Sequence, residues 1–211
     1  MQTSFEVRVV TLAQDIPGLT QTLMKCTGTS FQELVGRCAV KEPNYRDPRL
    51  LRGSAQAVGI RKGAPRPDIS TPEAFKAAIL NAKSVAYPDP AGGGLSGVIL
   101  TQLAEKMGFA EQLKSKAKFP PDNFAGKLVA SGEAELAIQQ KPELMAIEGV
   151  EILGPLPPEI NVTTVFSAGV SKDAKESGAS MELLKYLESP EGAAVFKRDG
   201  LDPPPAAAKA S

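Results

Sequence analysis

Histidine is absent from this chain of 211 residues. That excludes Ser–His and Cys–His nucleophilic machinery, the commonest zinc ligand and the usual pH switch. Tryptophan is also absent and aromatics make up only 5% of the chain, which argues against base-stacking platforms for single-stranded nucleic acid. Charge of one sign is not in excess. Lys plus Arg number 24 and Asp plus Glu number 24, so neither nucleic acid nor an anionic membrane surface is an expected partner. The two cysteines, Cys26 and Cys38, are too few for a four-thiolate zinc site; they form one disulfide or remain buried thiols. No apolar run is long enough to span a bilayer. Residues 1–6 (Met-Gln-Thr-Ser-Phe-Glu) lack the basic and apolar regions of a secretory leader, so a chain complete as given is expected to be cytoplasmic.

What is present suits a folded core. Hydrophobic residues make up 42%, and 19 glycines with 18 prolines predict many tight loops. Residues 1–55 read poorly. Phe5–Val10 alternates like a strand, Ile16–Met24 is weakly helical, and Pro43–Pro48 reads as a loop. Beyond them strands and helices alternate. Ser54–Arg61 is a predicted strand. Thr71-Pro72-Glu73 starts a helix, with Phe75, Ala78, Ile79 and Ala82 on one face. A helix follows Phe119–Asn123 and ends at Ser131-Gly132. Strands are predicted at Glu135–Gln140, Val150–Leu153 and Val162–Val170, and a short helix from Lys141 to Ile147. Ser180 and Ser189 cap two last helices, Met181–Leu187 and Pro190–Arg198. Residues 204–211 form a Pro/Ala-rich tail expected to be disordered. This alternation predicts an α/β sheet with mostly parallel strands, and ligands of such sheets bind beyond the carboxyl ends of strands.

One stretch organises the rest. Ser84–Tyr87 is β-prone, Pro88–Gly97 is a glycine-rich turn, and Val98–Met107 is helical. A helix start offers unpartnered N–H groups and the positive end of the macrodipole, which together favour an anion. The candidate ligand-binding residues are Ala91, Gly92, Gly93, Gly94, Leu95 and Ser96, with Tyr87, Gln139 and Gln140 beside them. Each has a plainer reading: a flexible turn, a packed tyrosine, and two glutamines that alternate so that at most one faces a ligand. There is no Gly-x-Gly-x-x-Gly and no Gly-Lys-Ser/Thr, so no nucleotide loop and no cofactor are expected.

The acids available for catalysis are Asp89, Glu133, Glu135 and Glu143. Asp89 stands between two prolines beside the loop and suits the base of an isomerase; its plainer role is to stabilise the turn. Glu133 and Glu135 read as solvated. Lys62, Arg61 and Arg66 form a basic cluster, a solvated face or an aid to steering an anion. With no histidine and no defined carboxylate pair, the expectation is a binding protein and not an enzyme.

From about Leu50 to Pro203 the chain resembles the extracellular solute-binding proteins of ABC transporters, in their molybdate-binding-protein-like group. The stretches that carry the resemblance are Val58–Glu73, Ala86–Gly97, Leu128–Gln140, Val150–Pro157, Phe166–Val170 and Leu187–Ala194. The resemblance implies a type II periplasmic binding fold: two α/β lobes with mixed sheets, joined by two crossing strands at Ala57–Arg61 and Val165–Val170. Lobe 1 would comprise residues 1–61 and 166–203, and lobe 2 residues 62–165. A molybdate-like oxyanion or small organic anion would lie in the inter-lobe cleft, held by backbone N–H and hydroxyl donors. It further implies a periplasmic monomer delivering ligand to a membrane permease. The expected turns of the first lobe are not found in residues 1–50, so that lobe is read as incomplete. Two other readings stay open: an isomerase or other enzyme on the same fold using Asp89, and a truncated remnant, non-functional or partner-dependent, with exposed strand edges.

Overall fold

The computed structural model describes residues 8–13, 22–24, 45–171 and 177–203. Cys26, Cys38, the tail 204–211 and most of residues 1–50 lie outside them. The chain divides into two compact units. One comprises Met1–Ser54 with Thr163–Ser211, the other Ala55–Val162.

In the first unit, strand β1 (Arg8–Ala13) pairs antiparallel with β2 (Thr22–Met24) and with β8 (Thr163–Ser171). The weak helix expected up to Met24 is corrected here: Thr22–Met24 is a strand, because three residues against β1 gain ladder bonds that a short unpropagated helix cannot match. Helices α6 (Ser177–Glu188) and α7 (Pro190–Arg198) follow β8. Ala168 and Val170 of β8 pack with Leu184, Met181 and Leu187 of α6. The α7 start follows its sequence signals: Ser189 accepts a hydrogen bond from the Gly192 N–H at 3.1 Å and Pro190 occupies the first turn. Helix α6 starts at Ser177, before the expected Ser180 cap.

Strand β3 (Tyr45–Arg61) runs through the boundary between units and begins nine residues earlier than Ser54. Tyr45–Pro48 is therefore strand and not loop. Pro48 removes one ladder donor but keeps its carbonyl acceptor.

The second unit carries a mixed sheet. The carboxyl-terminal part of β3 pairs antiparallel with β6 (Leu136–Gln140) on one side and β7 (Val150–Pro155) on the other. Beyond β6, strands β4 (Val85–Ala86) and β5 (Ala117–Lys118) are parallel. The carboxyl ends of β6, β4 and β5 therefore share one rim. Helices cover both faces. On one, α1 (Pro72–Asn81), α2 (Leu95–Lys106) and α3 (Ala110–Lys116) bury Phe75, Ile79, Leu100, Leu103 and Leu113 against Val58, Ile60, Val85, Leu136 and Ile138. On the other, α4 (Ala125–Ser131) and α5 (Lys141–Met145) pack Ala125, Val129 and Leu144 on Ala57, Ala86 and Ala137. Small residues on the second face let these short helices approach closely. The first face holds the larger share of the core, at about 1.5–3 kcal/mol for each fully buried large side chain.

Candidate functional site

Three segments leave the shared rim: the loop after β4, the loop after β5 and the turn from β6 into α5. The first is tightly built. Asp89 Oδ1 accepts from the Ala91 N–H at 2.9 Å, the Gly93 N–H donates to Pro90 O at 3.2 Å, and the Gly94 N–H donates to Asp89 O at 2.9 Å. Gly93 adopts φ +82°, which glycine reaches without strain. Three of the loop's expected anion donors are thus engaged inside the loop. The N–H groups of Leu95, Ser96 and Gly97 are not; they form the first turn of α2, donate to no described group and end at Gly94, which caps without a side chain. Ser96 is 3% exposed and its hydroxyl is bonded to no described residue. Ala91 and Gly92 are exposed, and Leu95 is half-buried.

Tyr87 is a core residue. It meets Phe119 edge to face at 5.3 Å between ring centres. Burial, with a smaller contribution from the Asp89 charge, raises its phenol above the usual 10.0, so it stays protonated at neutral pH.

The glutamines part as alternation requires. Gln139 points to the α4 side: its Oε1 accepts from Ala125 N–H at 2.8 Å and its Nε2 donates to Asn123 O at 2.7 Å. It fixes the start of α4, which has no capping side chain of its own. Asn123 sits at φ +64° in that loop, a conformation asparagine tolerates. Gln140 points to the α2 side, 8% exposed, and its Cα partner across the ladder is Gln56.

Gln56 is the residue that sequence reasoning missed. It lies one position before the crossing strand's expected start at Ala57. Its side chain is 1% exposed, and neither Nε2 nor Oε1 has a hydrogen-bond partner among the described residues. A buried polar group in that state costs about 1–3 kcal/mol. A polar residue inside an otherwise apolar strand pattern was the available signal.

Among the acids, Glu143 is held at the third position of α5. Desolvation raises its carboxyl above 4.5, and hydrogen bonds from Gln139 and the Gln140 backbone partly offset that. The Gln140 contact is the reciprocal arm of a capping box. Glu135 accepts from the Lys83 N–H at 2.8 Å and Glu133 from the Ser131 hydroxyl at 2.8 Å. Both lie near the amino end of β6, away from the rim. The basic cluster is at that far end too. Arg61 falls there because β3 runs antiparallel to β6, and Arg66 pairs with Glu151. A cavity of about 780 Å³ opens at the same end, between Arg61, Arg66, Asp68, Asn81 and several alanines. Among the described residues no His, Cys, Asp and Glu cluster could hold a metal ion, and no helix is long and apolar enough to cross a membrane.

A sequence model described as bacterial extracellular solute-binding protein matches residues 44–202. The chain belongs to this family. As a solute-binding protein it has the expected fold. It matches a structure described as the substrate-binding domain of a molybdenum ABC transporter from Clostridium difficile, with TM-score 0.65, 13% identity, and coverage of 81% of this chain and 73% of that one. The periplasmic molybdate-binding protein of Azotobacter vinelandii matches with TM-score 0.58 and 15% identity over 82% of this chain and 76% of that one. PEB3 of Campylobacter jejuni, with L-phospholactate bound, matches with TM-score 0.57 and 15% identity over 76% and 71%. At these identities the likeness establishes the type II binding fold alone.

A nearer relative corrects the expectation that the solute-binding protein is no enzyme. Aconitate isomerase of a Pseudomonas species is 36% identical over 180 residues, which are 85% of this chain. The chain spans 66% of that relative's length. The expectation rested on missing histidine and an undefined carboxylate pair, and neither excludes an isomerase. Moving a proton on an activated carbon needs one positioned base.

Proposed function

We propose that this solute-binding protein isomerises an unsaturated polycarboxylic acid, aconitate or a close analogue, at the rim formed by Tyr87–Gly97, Phe119–Phe124 and Gln139–Glu143. The observation that carries the reading is the 36% identity to aconitate isomerase, which runs through most of the chain. The rim's chemistry supports it. Free N–H groups at the start of α2, with the Ser96 hydroxyl, favour a carboxylate.

In an unsaturated tricarboxylate, a methylene between a carboxylate and the double bond loses a proton to give a delocalised allylic anion. Return of the proton to that anion yields the isomer, so the reaction needs one group to carry the proton and donors to hold the charge. Asp89 is the proton carrier in this reading. Its Oδ1 is fixed by the Ala91 N–H, which orients the carboxylate and leaves Oδ2 for the substrate. Leu95, Ser96 and Gly97 N–H groups stabilise the charge that develops on the adjoining carboxylate. Glu143 keeps its capping role. The ligand's partner after release is open in this reading to the permease that solute-binding proteins serve.

The test is to incubate the purified chain separately with cis- and trans-aconitate and follow interconversion by proton NMR, with molybdate and tungstate as competitors. Interconversion that Asp89→Asn lowers about 10²–10⁴-fold is the expected result. Saturable binding of aconitate without turnover contradicts the catalytic reading. Binding of molybdate alone contradicts the polycarboxylate.

A further inference from the structure

We infer that Gln56 is a specificity-determining residue: its amide Nε2 donates to a carboxylate of the bound polycarboxylate, while its Oε1 accepts from the Gln140 amide across the strand pair. This rests on the polycarboxylate reading and names one of the groups that would recognise that ligand.

The two ends of the residue are treated differently by the fold. Its backbone is pinned: the Gln56 N–H donates to Asn161 Oδ1 at 3.2 Å, and Gln56 O accepts from Leu156 N–H at 3.0 Å and Asn161 Nδ2 at 3.3 Å. Its side chain, at 1% exposure, has no partner for either polar atom among the described residues. Rigid backbone and unused buried amide together describe a group placed for something absent from the chain itself. Alternation on β3 puts Gln56 on the same face as Val58 and Ile60, the face covered by α2. Gln140 stands on that face too, directly opposite Gln56 in the ladder. Opposed side chains in an antiparallel pair have Cβ atoms about 4.5–5.5 Å apart, within reach of two amide heads. The free first turn of α2 lies over this face at the carboxyl end of β4, beside β6. Amides and backbone N–H groups thus meet where the ligand is proposed to bind. Their chemistry suits a carboxylate: the amides and backbone N–H groups are uncharged donors with no proton to titrate.

The experiment compares wild type, Gln56→Met and Gln56→Glu. Each is melted without ligand and titrated with trans-aconitate by calorimetry. Methionine keeps the shape and removes the polar atoms. Its expected signature is an unchanged or higher ligand-free melting temperature with affinity lowered about tenfold to a hundredfold. Glutamate replaces the donor with an acceptor and is expected to weaken binding at least as much. Affinity within twofold of wild type in both variants overturns the inference. So does a lower ligand-free melting temperature in Gln56→Met, because the amide then serves the fold. A wild-type chain that binds no polycarboxylate overturns the functional reading and this inference with it. The wild-type titration therefore tells which of the two has failed.

Discussion

The carbonyl oxygen of Pro88 lies 1.8 Å from the point where a Cβ on Gly97 would stand. The start of α2 is thus packed against the loop that precedes it, and only glycine fits. At Gly92 the nearest atom to such a Cβ is Asp89 O at 3.6 Å, an ordinary contact. Gly97→Ala is expected to destabilise the chain by about 1–3 kcal/mol or more through overpacking. Gly92→Ala should stay within about 0.5 kcal/mol. Urea unfolding of both variants checks the contrast. Gly94 is a poor probe of the ligand site, because its Cβ would meet Pro88 Cβ at 2.5 Å and Asp89 O at 2.9 Å. Any substitution there moves the loop. Ser96→Ala removes a donor without that displacement.

Gln139 ties two segments together through one amide, with Ala125 N–H donating to it and Asn123 O accepting from it. Gln139→Leu keeps the bulk and strands a buried N–H. A loss of about 1–3 kcal/mol is expected. Hydrogen exchange should rise at Ala125 and its neighbours before it rises elsewhere, since the cap residue Phe124 offers no side-chain acceptor of its own.

Glu143 predicts a pH effect with a definite sign. Its folded-state carboxyl is raised above the unfolded 4.5, mainly by desolvation. The folded state therefore binds the proton more tightly than the unfolded one. The contribution is fully present below 4.5 and is lost as pH rises through the folded value. Glu143→Gln carries no charge to bury. The melting temperature of this variant relative to wild type should increase from pH 4 to pH 7. A flat difference across that range contradicts the assignment.

Much of the second unit was legible because its signals are local. Thr71 accepts from Ala74 N–H at 3.1 Å, as a cap before Pro72 should. Gly132 ends α4 at φ +85°, a position glycine takes without strain. The apolar face Phe75, Ala78, Ile79 is buried as its spacing requires. Strands of two residues, such as β5, are too short to carry a period, and α3 was lost with it. Pro48 hid the early start of β3, because proline reads as a break even where it lies within a strand. At the site, the strand–loop–helix order was readable, but which N–H groups the loop uses internally was not. That depends on Asp89 and Pro90 acceptors folding back on Ala91, Gly93 and Gly94. Gln56 stood out only as a polar residue in an apolar strand pattern; that its amide goes unpaired among the described residues depends on neighbours far along the chain.

In the proposed reaction Asp89 carries the proton at the rim. Proton NMR of trans-aconitate in deuterated buffer tests it most directly, with wild type, Asp89→Asn and Glu143→Gln run side by side. Deuterium is expected to enter the methylene position as the other isomer appears. Both are expected to fall by about 10²–10⁴-fold in Asp89→Asn and to be retained in Glu143→Gln. Wild type that leaves the methylene protons unexchanged and the isomer ratio unchanged contradicts the claim.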